Sequence, residues 1–350
     1  MAKTRLLCAP VPRPLFLACL VLAACPSGSG GTGAQLSAGF AYVANAGSGD
    51  LSAVDLSTHR SAIAAGLSDD GYPLAIAADL ARSQLYSLQS MGVVHVYGGS
   101  FKLSASVPVG DLPVAMAHQG DRLFVLRGDG FVTPFDLASG VALAQIAVGS
   151  GPRSLAVDPV AGRILVANAL SNSVTVIDLE SGAVVATVTV ADAPASIAAD
   201  PSAGKAYVAR SFGGAEAVGP YLGILDSGTG AVLGSIAVGV PYAAVEAVAV
   251  DPPRRRLYAI AAYGSPNAAR DLLVYDLDSQ LVVRTVPQII YGAAAMAVDP
   301  STGDLFVGDG YANDVAVVSA ATGAVARIIV GTTPSAVLIL PDPGPADGGQ

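Results

Sequence analysis

Apolar positions come along this chain in runs of four to eight, alternating with polar residues or continuously β-branched, and Pro, Gly, Asn, Asp or Ser closes each run. Such runs predict short strands joined by tight turns. Gly151 to Asp192 shows the pattern best: SLAVD, RILVAN, SVTVID and AVVATVTV follow one another, separated by PVAG, ALSN and LESG.

The same paragraph of four strands recurs. Its second strand reads FAYVANA from Phe40, QLYSLQ from Gln84, RLFVLR from Arg122, RILVANA from Arg163, KAYVARS from Lys205, RLYAIAA from Arg256 and DLFVGDG from Asp304. Measured on Tyr42, Tyr86, Phe124, Leu165, Tyr207, Tyr258 and Phe306, the spacing runs from 38 to 51 residues. Four strands per unit at a period in the forties predict an all-β fold, a seven-bladed β-propeller of antiparallel blades. The first copy lacks its first strand and the last has one too many, Ser335 to Leu340. The C-terminal strand is therefore expected to complete the N-terminal blade and close the ring, which removes open sheet edges. The propeller is placed at 39–340, and the Pro- and Gly-rich 341–350 as a disordered tail.

YVAN, RILVAN, TVIDLESGAVVATVTV and VGSGPRSLAVDP resemble the YVTN-type repeat of seven-bladed propellers in secreted and surface proteins. The resemblance spans about 39–340 and is strongest in copies one, four and seven. It implies the propeller fold. Relatives include binding and surface proteins and sequences labelled lactonase-like, so it does not imply one activity.

Composition first suggests a membrane protein, with 52% hydrophobic residues and a mean hydropathy of +0.57. Past residue 24 no apolar run is long enough for a spanning helix, and a chain without Trp lacks the aromatic girdles of an outer-membrane barrel. Stacked Ala- and Val-rich sheets account for the hydropathy. Residues 1–24 read as a signal peptide, with Lys3, Arg5 and Arg13 ahead of the apolar Leu15 to Leu22. Leu22-Ala23-Ala24-Cys25 resembles the bacterial lipobox, which makes Cys25 the lipidated first residue of a mature chain and 25–38 a flexible tether. Removing the leader leaves 15 basic residues against 27 acidic ones and a single Cys. Nucleic acid is an unsuitable partner for so acidic a chain, and no internal disulfide can form. Pro26 rather than Asp after the Cys points to the outer membrane, with a monomer expected.

Most recurring residues have structural explanations. Asp79, Asp158, Asp200, Asp251 and Asp299 end first strands and Asp55, Asp136, Asp178, Asp226 and Asp276 end third strands, where a carboxylate caps a turn. Ala77, Ala117, Ala156, Ala198, Ala249 and Ala297 share one inner-strand position, where crowding near the axis demands a small side chain. His59, His95 and His118 fall on different strands, with His118 expected as a buried, hydrogen-bonded core residue. No G-x-S-x-G, P-loop, H-E-x-x-H or C-x-x-C is present, and no catalytic residue, metal or cofactor is assigned.

Strand order sends every loop to one of two faces. The face with the outer-to-inner and second-to-third links, here the top, holds most of the excess acid, six loop tyrosines and the long segments RSFGGAEAVGPY and AAYGSPNAARD. Long loops with Tyr and Arg on a rigid scaffold are typical recognition surfaces. The candidate ligand-binding residues are Arg153, Arg210, Tyr221, Tyr242, Glu246, Tyr263, Arg270, Tyr291 and Tyr311. The first expectation is a lipid-anchored protein that binds a protein, peptide or glycan there. The alternative is a lactonase-like hydrolase using Arg153 and Glu246 at the channel mouth, although these loops hold no His to act as a base.

Overall fold

In the strand Arg163–Asn168 every residue from Ile164 to Asn168 is buried, although side chains alternate between the faces of a sheet. Such a strand needs apolar cover on both sides. Ile164 and Val166 find it against Phe124 and Leu126 of the preceding sheet, and Leu165 and Ala167 against Ile197, Ala206 and Val208 of the following one. Burying each of the larger side chains contributes about 1.5–3 kcal/mol.

Repeated around an axis, this packing gives the architecture of the computed structural model: seven antiparallel sheets of four strand positions each, arranged as blades in a ring, with no helix among the described residues. The structure describes residues 35–67, 71–190, 193–210, 221–238, 243–263, 269–292 and 295–342, and places Tyr221 and Tyr263 by backbone alone. The expected signal peptide, Cys25, most of the tether, Tyr242 and the end of the tail lie outside these residues.

The inner strands are Pro334–Leu340 for blade one, then Pro73–Asp79, Pro113–Gln119, Pro152–Asp158, Pro194–Asp200, Ala243–Asp251 and Met296–Val298. Each neighbours the next, and the last returns to the first. Pro334–Leu340 pairs antiparallel with Phe40–Asn45, so three N-terminal strands and one C-terminal strand build blade one. In blade three the outer strand is broken into Val141–Ala142 and Ile146–Ala147.

The size pattern read from the repeat is a packing device. Tyr86, Phe124, Leu165, Tyr207, Tyr258 and Phe306 pair across the ladder with Ala77, Ala117, Ala156, Ala198, Ala249 and Ala297. These large side chains are at most 3% exposed. Blade one departs from the pattern by setting Leu338 opposite Tyr42.

The repeated aspartates cap turns, as expected, and some also join blades. Asp158 Oδ1 accepts Val160 N at 3.0 Å and Ala161 N at 2.9 Å, while its Oδ2 accepts the Ser227 hydroxyl of blade five at 2.5 Å. Asp200 is bridged at 2.9 Å by Arg255 of blade six. Arg122 and Arg163 donate to carbonyls in the bottom hairpin of the next blade, at Leu179, Glu180 and Gly228. His118 differs from its expectation. It is half-buried and stacks on Tyr86. Its Nε2 is 3.7 Å from Asp79 Oδ2 and makes no hydrogen bond among the described residues.

The third-strand aspartates give stability a pH dependence. The Ser57, Ser139 and Thr229 hydroxyls hold Asp55, Asp136 and Asp226 below the ordinary carboxylate value, and the Ser181 amide does so for Asp178. The Ser279 amide and hydroxyl, with Arg256, hold Asp276 at about 2. A carboxyl depressed by folding stabilises above its unfolded pKa and loses that contribution as pH falls through the folded value. The thermal midpoint, followed by circular dichroism, is expected to hold from pH 7 to about 5 and to fall between about 4 and 2. An unchanged midpoint at the acid end would contradict this role.

Candidate functional site

Each second strand ends on the top face with a polar residue. In blades one, two and four it is the buried amide Asn45, Gln89 or Asn168. Asn45 Nδ2 donates to Asp50 at 2.6 Å and Ser52 at 3.0 Å, and Asn168 Nδ2 to Ser173 at 3.2 Å and Thr175 at 3.0 Å. The Asn of the YVAN-like segments thus fixes the turn into the third strand.

Blade seven puts a carboxylate there. Asp309, at the end of Leu305–Asp309, is fully buried. Its Oδ1 accepts Tyr311 N at 3.1 Å and Ala312 N at 3.3 Å, as the amides of its own turn. Oδ2 accepts Tyr291 N at 3.0 Å, from the link that arrives from blade six. Arg327 balances the charge from the outer strand Val325–Ile329: its Nη1 is 3.6 Å from Asp309 and 2.8 Å from Asp314, and Nη2 donates to Ile289 O at 2.6 Å. Burial pushes the Asp314 carboxyl up, against the lowering effect of Arg327, and the nearby Asp309 charge adds to the rise.

The carbonyl of the same Tyr291 is held from the other side. Arg270 Nη1 donates to it at 2.6 Å, while Nε and Nη2 meet the two oxygens of Glu246 at 2.7 and 3.2 Å. Arg270 is only 7% exposed and is pre-set by this bidentate pair. Gly292 permits the close approach of the two loops: a Cβ there would lie 2.7 Å from the Tyr311 ring and 3.1 Å from Gly310 N. The backbones of Tyr291 and Tyr311 are therefore fixed, and their side chains are 46% and 69% exposed.

Of the candidates from sequence, Glu246, Arg270, Tyr291 and Tyr311 come together at this junction of blades six and seven. Arg153 and Glu246 occupy equivalent places. The inner strands shift register after Pro73, Pro113, Pro152, Pro194 and Val245, so Leu74, Val114, Arg153, Ala195 and Glu246 are the bulged residues on the top side. Arg153 is exposed there, two blades from Glu246. Arg210 lies in blade five beside a groove of about 380 Å³ that Val190, Pro194, Val208, Gly223 and Gly234 also line. Tyr221 begins a third strand and Tyr263 ends a second strand, so both are strand termini at the top rather than loop residues. Part of the blade-six insert is likewise strand, since Arg270 pairs with Ala262 and Ile290.

Asp309 and Arg327 escaped selection as site residues, as did Met91, Leu112 and Leu170. These last three add to Tyr72, Tyr291 and Tyr311 as large apolar or aromatic side chains exposed on top links, with Leu170 the most open at 81%. The available signal was departure from the repeat: Asp in place of Asn after the second strand, and Arg in an outer strand. Among the described residues no three His, Cys, Asp or Glu side chains gather as metal ligands.

No protein-family model matches the chain, and neither does any curated protein. Solved structures do match, among them a chain of Kuenenia stuttgartiensis hydrazine synthase, with a TM-score of 0.66 and 16% identity over 75% of this chain and 88% of that one. A likeness at that identity establishes the shared propeller fold.

Proposed function

We propose that this β-propeller is a lipid-anchored protein of the bacterial cell envelope, carried on the outer membrane through Cys25, that binds a protein, peptide or glycan on its top face. The observation that carries the binding reading is the junction of blades six and seven. There Tyr291 and Tyr311 have their backbones clamped by Arg270 and Asp309 and their rings in solvent. Contact residues ordered before the partner arrives lose little entropy on binding, and Tyr supplies large contact area at low conformational cost. The lipobox-like LAAC, the Gly- and Ser-rich segment after it and the YVTN-type repeat support an exported, tethered propeller. The lactonase-like reading gains less support, because Glu246 is already held in a bidentate pair with Arg270.

A photo-crosslinking residue at Tyr311 is expected to trap a partner in intact cells, while the same residue at the bottom-face Val160 does not. Affinity for that partner is expected to fall on the order of tenfold to a hundredfold in a Tyr291→Ala/Tyr311→Ala double variant with an unchanged thermal midpoint. Equal labelling at both positions, or undiminished affinity in the double variant, would remove the site.

A further inference from the structure

The cations of the bottom face differ in their partners. Arg82, Arg163, Arg254, Arg255 and Arg256 pair with carboxylates, and Arg122 and Arg284 donate to carbonyls of the next blade. Lys205, half-buried in blade five, makes no ion pair among the described residues, and neither do Arg60 and Lys102, which are exposed. These last two sit in neighbouring bottom hairpins, where Arg60 O accepts Asp55 N at 2.9 Å in blade one and Lys102 O accepts Gly98 N at 2.9 Å in blade two. The outer strand that follows each hairpin exposes an aliphatic residue close by, Ile63 at 67% and Leu103 at 42%. Across the ring the blade-four and blade-six hairpins add Glu180 and Asp278 to their turn aspartates, where blade one adds Arg60 to Asp55 and blade two carries Lys102 with no acid.

The N-terminal chain enters between these two hairpins. Leu36 N donates to Gly99 O at 2.6 Å, and the Leu36 side chain is buried with Tyr42 and Phe101. Nine residues, PSGSGGTGA, separate Cys25 from Gln35. A coil of that composition spans about 17 Å on average and at most about 35 Å. An acyl group on Cys25 would therefore be tethered within that reach of Leu36, which is held between the hairpins that carry Arg60 and Lys102.

We propose that the bottom edge of blades one and two is a membrane-contact edge, with Arg60 and Lys102 against anionic lipid headgroups and Ile63 and Leu103 against the interface. The proposal rests on the lipid-anchor reading above and adds an orientation to it. The lipid supplies attachment, and the two cations decide which edge faces the bilayer, leaving blade five farthest from it. Cations near an anionic leaflet are attracted over a Debye length, and apolar side chains beside them gain from the headgroup boundary.

The test uses the full chain, exported and processed, in vesicles of phosphatidylcholine with or without phosphatidylglycerol. Processing leaves Cys25 as the only native Cys, so a fluorophore on Ser100→Cys (blade two) or Ala231→Cys (blade five) reports one position. A headgroup-bound quencher in anionic vesicles is expected to quench the blade-two probe several-fold more than the blade-five probe. Arg60→Gln/Lys102→Gln is expected to erase the difference. Equal quenching of both probes, or a difference that survives the double substitution, overturns the edge. The mass of the N-terminal peptide tests the anchor separately. Should Cys25 carry no lipid, the anchor reading fails, and sedimentation of the same chain with anionic vesicles judges the edge. Salt-sensitive binding weakened on the order of twentyfold by the double substitution supports it, and no binding at low salt, or binding indifferent to the substitution, overturns it.

Discussion

Deleting residues 332–350 is expected to abolish cooperative folding, although it removes only the C-terminal end of the chain. Pro334–Leu340 is the inner strand of blade one and pairs with Phe40–Asn45 along its length. Its loss uncovers Ala41 and Val43, both 0% exposed, and opens the ring between blades one and seven. It also removes the bonds from Ser335 Oγ to Pro73 O at 2.6 Å and from Gly39 N to Leu340 O at 2.7 Å. A strand's worth of apolar burial and ladder hydrogen bonds totals on the order of 10 kcal/mol, comparable with the whole stability of a domain. The matched control is deletion of 343–350, which removes no described strand and is expected to leave the thermal midpoint unchanged. Urea titration followed by circular dichroism distinguishes the two. A cooperative transition at the wild-type midpoint in the longer deletion would show that the closure is dispensable.

The second large effect is expected at Asp309. Asp309→Ala leaves the amides of Tyr291, Tyr311 and Ala312 without their acceptor and Arg327 without one of its two carboxylates. Asp309 is fully buried, and since hydrogen bonds to a charged group contribute about 1.5–3 kcal/mol, loss of its three amide bonds is expected to cost about 3–5 kcal/mol. Asp309→Asn keeps one acceptor oxygen and is expected to lose less, about 1.5–3 kcal/mol. The loss has a local signature, because the same carboxylate ties the blade-six link to the blade-seven turn. Hydrogen exchange at the Tyr291 and Tyr311 amides is expected to accelerate more than exchange in the second strand of blade four, Arg163–Asn168. Uniform acceleration across all blades would assign Asp309 a general stabilising role and remove it from the clamp.

Much of the architecture was legible because a blade is a local unit. Turn residues and β-branched runs recur within some forty residues, so the second strands, the inner alanines opposite Tyr86, Phe124 and Tyr207, and the turn aspartates could be read before packing was known. Ring closure was legible from an imbalance, a missing strand at one end and a surplus strand at the other. His118 was misread because an alternating pattern locates a side chain on a face without saying whether Asp79 comes within hydrogen-bond reach. The blade-six insert was misread because Ala243–Asp251, Arg256–Tyr263 and Leu281–Ile290 lengthen together, and extra ladder looks like loop when each strand is read alone.

The sequence by itself determined the number of blades, the strand that closes the ring and the face to which each link goes, since all three follow from strand order and local periodicity. Only the tertiary structure decided which top-face residues act together. Glu246, Arg270, Asp309 and Arg327 stand on four strands in two blades, and they converge on the backbones of Tyr291 and Tyr311 only once those blades pack. An ion pair depends on distances of a few ångströms between separate sheets, and one-dimensional spacing carries no such information.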